Sequence, residues 1–299
     1  AVVVHDLDTE NPATRLALAM AAQRGLPLLG VQHHHAHVAA VLAEHHREEP
    51  VYALALDGYG KGDDGTVWGG ELLRVDGAYF ARLGHLVPLR LAENDHESGQ
   101  PWRLAAAVLQ ALGRGHEIVR RFGSQSGASA LAEHLASGYG GLNTTSMGRL
   151  LDAAAGLLGI CFVTHYRGQA GLLLEGLAER QGEVAPLTGG WVIDNGNLDL
   201  LPLFSALADE QNAQHGAALF HATLAAALSD WLASAAPPQA TVIACGGCLQ
   251  NQVLGRGLRN RLADAGFLLL EARRIPPNDG GISLGQAWIA QHHLLGVSA

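Results

Sequence analysis

Short apolar runs that alternate with helical periodicity, at both ends of the chain, constrain its fold more than any other feature. Residues 2–7 read as a strand and "PATRLALAMAAQRG" as a helix closing at Gly25. "LPLLGVQ", "HHAHVAAVLAEHH" and "VYALALDGYG" continue as strand, helix and strand. Near the other end, "ATVIACGG" is a buried strand, "QNQVLGRGLRNRLADAG" a helix, "FLLLEA" a strand and "GISLGQAWIAQHHLL" a helix. Between them lie an alternating hairpin, "TVWGGELLRVDGAYFARLGHL", turning at Asp76-Gly77, and a second one at 191–203 around Asn195-Gly196. Residues 101–180 carry Ala/Leu-rich helical periodicity, broken by "GYGGLNTTSMGR", and 212–235 another helix. This order predicts an α/β protein of two lobes. Residues 1–100 would belong to an N-terminal lobe, 101–185 to a mainly helical segment and 186–299 to a C-terminal lobe.

The composition suits such cores and narrows the partners. Of the 299 residues, 48% are hydrophobic and 16% charged, and the formal net charge is −9. That balance disfavours a partner held through its phosphate backbone, because such binding rests on Lys and Arg. Cys161, Cys245 and Cys248 make no disulfide framework and fit a reducing cytoplasm. No run reaches the about 18 apolar residues of a transmembrane helix, and no signal-like segment opens the chain.

The chemistry-bearing residues sit where strands end. "VQHHHAHVAAV" (31–41) holds His33, His34, His35 and His37. On a helix His33 and His37 share a face, while His34 and His35 are turned by about 100° and 200°. A polar, His-rich helix start and a metal site both account for this pattern. "LDGYGKGDDGTVWGGE" (56–71) puts Asp57 at the end of an apolar strand, before Gly58, Gly60 and Gly62. An Asp-Gly turn is one reading. A cation ligand beside glycines that admit a phosphate is the other. Gly246-Gly247 ends a strand before a helix, a setting for an anion cradle. Cys245-Gly-Gly-Cys248 has CxxC spacing but no second pair to complete a four-Cys site. Asp279, in the loop "PPNDGG", is either a helix cap or a second carboxylate ligand. "NTTSMGRLLD" offers hydroxyls and Arg149 suited to phosphate, with Asp152 one turn into its helix.

Taken together and in order, these pieces resemble the C-terminal carbamoyltransferase domain of HypF, of [NiFe]-hydrogenase maturation, and its relatives the O-carbamoyltransferases and tRNA threonylcarbamoyl transferases. The resemblance is carried by V-Q-H-H-x-A-H at Val31 to His37, D-G-x-G-x-G-x-D-G-x-x-W-G-G-E at Asp57 to Glu71, and P-W-R at Pro101 to Arg103. It continues in S-x-G-R-x-x-D at Ser146 to Asp152, G-G-x-x-x-N at Gly246 to Asn251, and P-P-N-D-G-G-I-x-L-G-Q at Pro276 to Gln286. Three positions depart from the pattern: Asp8 stands where a His is common, Asp95 holds the acid of a P-G-G-D loop, and Arg167 replaces an acid in Y-E-G-Q.

The resemblance implies the sugar-kinase/actin-like fold, two ribonuclease-H-like lobes with nucleotide in the cleft, whose first strands lie upstream of Ala1. It implies His33, His37, Asp57 and Asp279 as ligands of Fe²⁺ or Zn²⁺, with His33, His37 and Asp57 also catalytic. Gly58, Gly60, Ser146, Gly246, Gly247 and Asn251 would contact the nucleotide of ATP or of the AMP moiety of carbamoyl-adenylate, and Asp152 and Glu175 its ribose or purine. The reaction implied is carbamoyl transfer from carbamoyl-adenylate to the C-terminal Cys of HypE. A module forming carbamoyl-adenylate would be needed in cis or in trans. Two rivals remain: a tRNA threonylcarbamoyl-type transferase, which shares the His pair but needs an RNA surface, and a non-catalytic nucleotide-binding scaffold. A zinc hydrolase lacks its H-E-x-x-H.

Overall fold

The computed structural model describes residues 1–92 and 99–296, so Asp95 lies outside the described residues. The first stretch runs β1 (Val3–Asp6), α1 (Pro12–Arg24), β2 (Leu28–Val31), α2 (His33–His45), β3 (Val51–Lys61), β4 (Val67–Asp76) and β5 (Tyr79–His85). The middle runs β6 (Leu89–Leu91), α3 (Pro101–Ala111), α4 (Ile118–Phe122), α5 (Ala128–Ser137), β7 (Leu142–Thr144), α6 (Met147–Leu157) and α7 (Gln169–Gln181). It continues with β8 (Val192–Asp194), β9 (Asn197–Asp199), α8 (Leu201–Asp209) and α9 (Ala213–Ala235). The last stretch is β10 (Thr241–Cys245), α10 (Gln252–Asp264), β11 (Leu268–Leu270) and α11 (Ile282–Leu295). The protein is α/β, and its chain forms two compact units. One unit gathers residues 1–84, 232–250 and 262 onward; the other gathers 85–231 and 251–261. Both units are discontinuous, so they cut across a linear division at residues 100 and 185, which follows local character alone.

The first unit is built on β3. Its residues Val51 to Leu56 are apolar on both faces, apart from Tyr52, and run parallel to β10 on one side and antiparallel to β4 on the other. β11 extends the sheet beyond β10, and β5 pairs with β4. The β4–β5 turn falls where the sequence places it, with Gly77 at φ 58°. Val38, Val41 and Leu42 of α2 pack on Ala53 and Ala55 of β3, Leu73 and Val75 of β4, and Ile243 of β10. β1 and β2 are parallel, joined through α1. Asn11 caps α1 by accepting from the Ala13 N–H at 2.9 Å, Pro12 opens it, and Gly25 closes it in the left-handed region.

The second unit holds most of the helices. Gly156 of α6 meets the Pro101 backbone at the head of α3, where a Cβ would stand 2.4 Å from the Pro101 carbonyl oxygen. The Asn195-Gly196 hairpin joins β8 to β9 with both turn residues at positive φ, 48° and 82°, and the Trp231 indole N–H donates to the Gly196 carbonyl at 2.6 Å. No helix among the described residues is long and apolar enough to cross a membrane.

Candidate metal centre

Three devices in the first unit bring His33, His37, Asp57 and Asp279 together. The first is the start of α2. Gln32 caps it, its Oε1 accepting from the His35 N–H at 2.8 Å, and that helical start puts His33 and His37 on one face. The second is a break in β3. The β3–β4 register runs from Leu56–Gly70 directly to Gly60–Trp68, so Asp57, Gly58 and Tyr59 bulge out of the ladder. Such a bulge re-aims the side chains it carries. The third is the head of α11. Asn278 takes the capping role, accepting from the Gly280 N–H at 3.0 Å, which leaves the neighbouring Asp279 carboxylate for other work.

The distances are short. Asp57 Oδ2 lies 3.2 Å from His33 Nε2 and 3.3 Å from His37 Nε2. Asp279 Oδ1 lies 3.7 Å and 3.6 Å from the same two nitrogens. One donor atom from each of the four residues falls within 4.8 Å of all the others. His33, His37 and Asp57 are buried and Asp279 is half-exposed, so the group opens on one side. Asp57 Oδ1 accepts from the Gly247 N–H at 3.2 Å, which fixes the carboxylate while Oδ2 faces the imidazoles.

The electrostatics of the four side chains are interdependent. Burial alone would hold His33 and His37 neutral. The facing carboxylates of Asp279 and Asp57, joined at His33 by that of Asp6, outweigh it and raise both imidazoles above their usual value. Burial would likewise push Asp57 up, but its bonds to His33 and His37 hold it well below the carboxylate range. Asp279 is lowered by bonds to the same two rings. One divalent ion would satisfy the same donors. Two imidazole nitrogens and two carboxylate oxygens suit Zn²⁺ or Fe²⁺, and two negative charges neutralise either.

The other two histidines of the tetrad are occupied differently. His34 is fully buried, and its Nδ1 accepts from Gln32 Nε2 at 3.1 Å, an orientation set because Gln32 Oε1 is already engaged. His35 Nε2 donates to the Gly77 carbonyl at 3.2 Å, tying α2 to the β4–β5 turn, and burial pushes its pKa down to about 4.

The residues assigned to the nucleotide are dispersed in their local roles. Gly60 lies under the imidazoles: a Cβ there would stand 2.5 Å from His34 Cε1 and 2.8 Å from His33 Cδ2. Gly58 lies within the β3 bulge. Gly246 sits at φ 101° against the Leu56 backbone, and its N–H donates to Pro277. The Gly247 N–H, which the sequence reading offers to a phosphate, points at Asp57 instead. In the second unit, Ser146 caps α6 through the Arg149 N–H at 3.2 Å. Asp152 pairs with Arg149 at 3.0 Å, and burial nonetheless raises its carboxyl. Glu175 accepts from the Gln252 N–H at 2.7 Å. Asn251 donates to His221 Nε2 at 2.9 Å and accepts from the Leu254 N–H at 2.9 Å. Cys161, Cys245 and Cys248 form no disulfide with one another, and burial pushes the Cys245 thiol far up, the reverse of a reactive CxxC.

Asp6 escapes a reading that looks for ligands alone. It stands at the C-terminal end of β1, the kind of position that also made Asp57 conspicuous, and its Oδ2 lies 2.6 Å from His33 Nδ1.

Comparison with known proteins places this geometry in a family. A family model described as "Carbamoyltransferase, Kae1-like Domain, second subdomain" matches residues 53–286, and one described as "HypF Kae1-like domain" matches residues 1–44. The carbamoyltransferase HypF2 of Cupriavidus necator is 50% identical over 97% of this chain, which spans 39% of that relative. A carbamoyltransferase HypF homolog of the same organism is 44% identical over 96% of this chain and 77% of the relative. A crystal structure of full-length HypF in a phosphate- and nucleotide-bound form superposes with a TM-score of 0.85 at 30% identity, over 98% of this chain and 39% of that one. The chain belongs to the HypF family, in the part described by its Kae1-like carbamoyltransferase domain.

Proposed function

We propose that this chain transfers a carbamoyl group from carbamoyl-adenylate to the C-terminal cysteine thiol of HypE, the step that leads to the cyanide ligands of [NiFe]-hydrogenase. The observation that carries the reading is the convergence of His33, His37, Asp57 and Asp279 from three separate segments, with the remaining Asp57 oxygen already engaged. In the transfer a C–S bond forms, the C–O bond to the adenylate phosphate breaks, AMP leaves and the thiol proton passes to solvent or base. When bound, Zn²⁺ or Fe²⁺ supplies Lewis acidity toward the carbamoyl or phosphoryl oxygen. His33, His37, Asp57 and Asp279 would hold it. The site needs no protein nucleophile, since the acceptor brings its own sulfur, in keeping with three buried cysteines. Ser146, Asp152, Glu175, Gly246, Gly247 and Asn251 are proposed for the nucleotide, in keeping with the nucleotide-bound relative. The chain spans two fifths of that structure, and the proposed reaction takes carbamoyl-adenylate as supplied by a module in cis or in trans.

The test is incubation of the purified chain with carbamoyl-adenylate and HypE, with mass spectrometry of the HypE C-terminal peptide. A mass increase matching one carbamoyl group, dependent on the chain, supports the reading. Its absence while the chain binds both Zn²⁺ and AMP rejects it in favour of a nucleotide-binding scaffold. A tRNA substrate has less support, because the acidic balance offers little to a phosphate backbone.

A further inference from the structure

A ligand histidine has two ring nitrogens, and the proton on one decides what the other can do. His33 Nδ1 lies 2.6 Å from Asp6 Oδ2, and both side chains are more than nine-tenths buried. Asp6 is itself fixed: its Oδ1 accepts from the Asp8 N–H at 3.0 Å, across the turn that leaves β1. An ionised carboxylate only accepts, so the proton of a neutral His33 must sit on Nδ1. Nε2 then presents its lone pair toward Asp57 and Asp279. A carboxylate behind a ligating imidazole both fixes the tautomer and raises donor strength.

From this geometry we infer that Asp6 is a positioning residue of the metal centre, acting through His33. The inference rests on the proposed reading of His33 as a ligand. Asp6 reaches the site from β1, an element that supplies none of the four ligands. It therefore ties the pairing of β1 with β2 to the head of α2, which follows β2 after a single residue. The Asp8 N–H and the His33 N–H compete for one carboxyl group, and each takes a separate oxygen. This makes the isosteric amide informative. Asparagine has one oxygen for two donors; with that oxygen on the Asp8 N–H, its NH₂ faces His33 Nδ1 and drives the ring proton to Nε2, where it blocks the ligand lone pair.

The test measures Zn²⁺ affinity of the chain by competition with a chromophoric chelator, for the parent and the Asp6→Ala, Asp6→Asn, His33→Ala and His37→Ala variants. Loss of a supporting carboxylate weakens metal binding by about 10–100-fold in comparable sites. Asp6→Ala is expected in that range, and Asp6→Asn to be no better despite its conserved shape. Circular dichroism and an unfolding curve in chelator establish that each variant is folded. An Asp6→Asn chain with parental affinity reduces Asp6 to a packing role and overturns the inference, as does an unchanged Asp6→Ala. If His33→Ala and His37→Ala bind Zn²⁺ as the parent does, the ligand assignment fails first, and Asp6 has nothing to position.

Discussion

Gly285 of α11 crosses Ala36 of α2 so closely that a Cβ on Gly285 would stand 1.9 Å from the Ala36 carbonyl oxygen and 2.8 Å from the Ala40 nitrogen. The atoms it would meet belong to backbone, so relief requires moving a helix. This contact sets how near the head of α11, with Asp279, comes to the head of α2, with His33 and His37. Gly285→Ala is expected to lower stability by about 1–3 kcal/mol through overpacking. It should also weaken Zn²⁺ binding by displacing Asp279. Thermal unfolding with chelator and with Zn²⁺ checks both effects: the gap between the two melting temperatures should shrink relative to the parent. An unchanged gap refutes the link between this crossing and the site.

By its contacts the tetrad divides into two pairs, His33 with His37 beside the carboxylates and His34 with His35 turned away from them. His37→Ala should abolish stoichiometric metal while leaving the fold intact, because it removes a ligand and little core volume. His35→Ala should keep the metal and lose stability, since it cuts the bond to Gly77 and opens a cavity beside Phe80. A loss of about 1–3 kcal/mol is expected. Elemental analysis and urea unfolding of the two variants decide the matter; the reverse pattern would sink the assignment.

The pH dependence follows from the direction of the shifts. His33 and His37 titrate above their unfolded value of about 6.5, because bonds to Asp279 and Asp57 outweigh the opposing effect of burial. In metal-free protein their contribution is full below that value and is lost as pH rises through the folded one. Asp57 and Asp279 titrate below their unfolded value of about 3.9, held down by the same rings. Their contribution is present above that value and is lost as pH falls through the folded one. The chelated protein should therefore lose stability on both sides, declining above about pH 6.5. Zn²⁺ replaces the two ring protons, so its stabilising effect should grow with pH over the same range. Urea midpoints from pH 5 to 9, roughly the span around the histidine value, with and without Zn²⁺, should diverge; parallel curves would contradict this account.

Glu71 is completely buried, its Oε1 accepting from the Gly69 and Gly70 N–H groups and its Oε2 pairing with Arg82 Nε at 2.7 Å. Arg82 in turn lies 3.9 Å over the Trp68 ring. Removing one partner of a buried pair leaves the other uncompensated, so Glu71→Ala should cost about 3–5 kcal/mol. Arg82 Nη1 also donates to Asp64 Oδ2 at 3.1 Å; chemical denaturation is the readout, and a cost below about 1 kcal/mol, the surface-pair range, would show that Asp64 compensates Arg82 alone.

The strand and helix order was legible because its signals are local. Apolar runs, Asn-Gly and Asp-Gly turns, and Asn11 with Pro12 and Gly25 each act within a few residues, and the described elements follow them. The division into units was not, because β10, β11 and α11 return from the far end of the chain to pack with the first strands. Of the site, the His33–His37 spacing and the strand-end position of Asp57 could be read directly. The service of Gly247 to Asp57 could not, since a backbone N–H has the same sequence signature whether it faces a phosphate or a carboxylate. Asp6 was hidden for a related reason. Its value depends on which nitrogen of His33 it meets, and that is settled only when β1 pairs with β2.

The discontinuity of the first unit also sets a clock. Asp57 and Asp279 are separated by most of the chain, and the second unit is inserted between them. During synthesis His33, His37 and Asp57 emerge before the second unit, and Asp279, the proposed fourth ligand, follows only with the head of α11. A chain not yet made as far as Asp279 would offer an ion three of the four proposed donors. Full ligation would then report that α11 has found α2. Because joining distant points of a chain removes more freedom from its unfolded state than joining near ones, an ion held there would clasp the heads of α2 and α11 across the long stretch of chain between them.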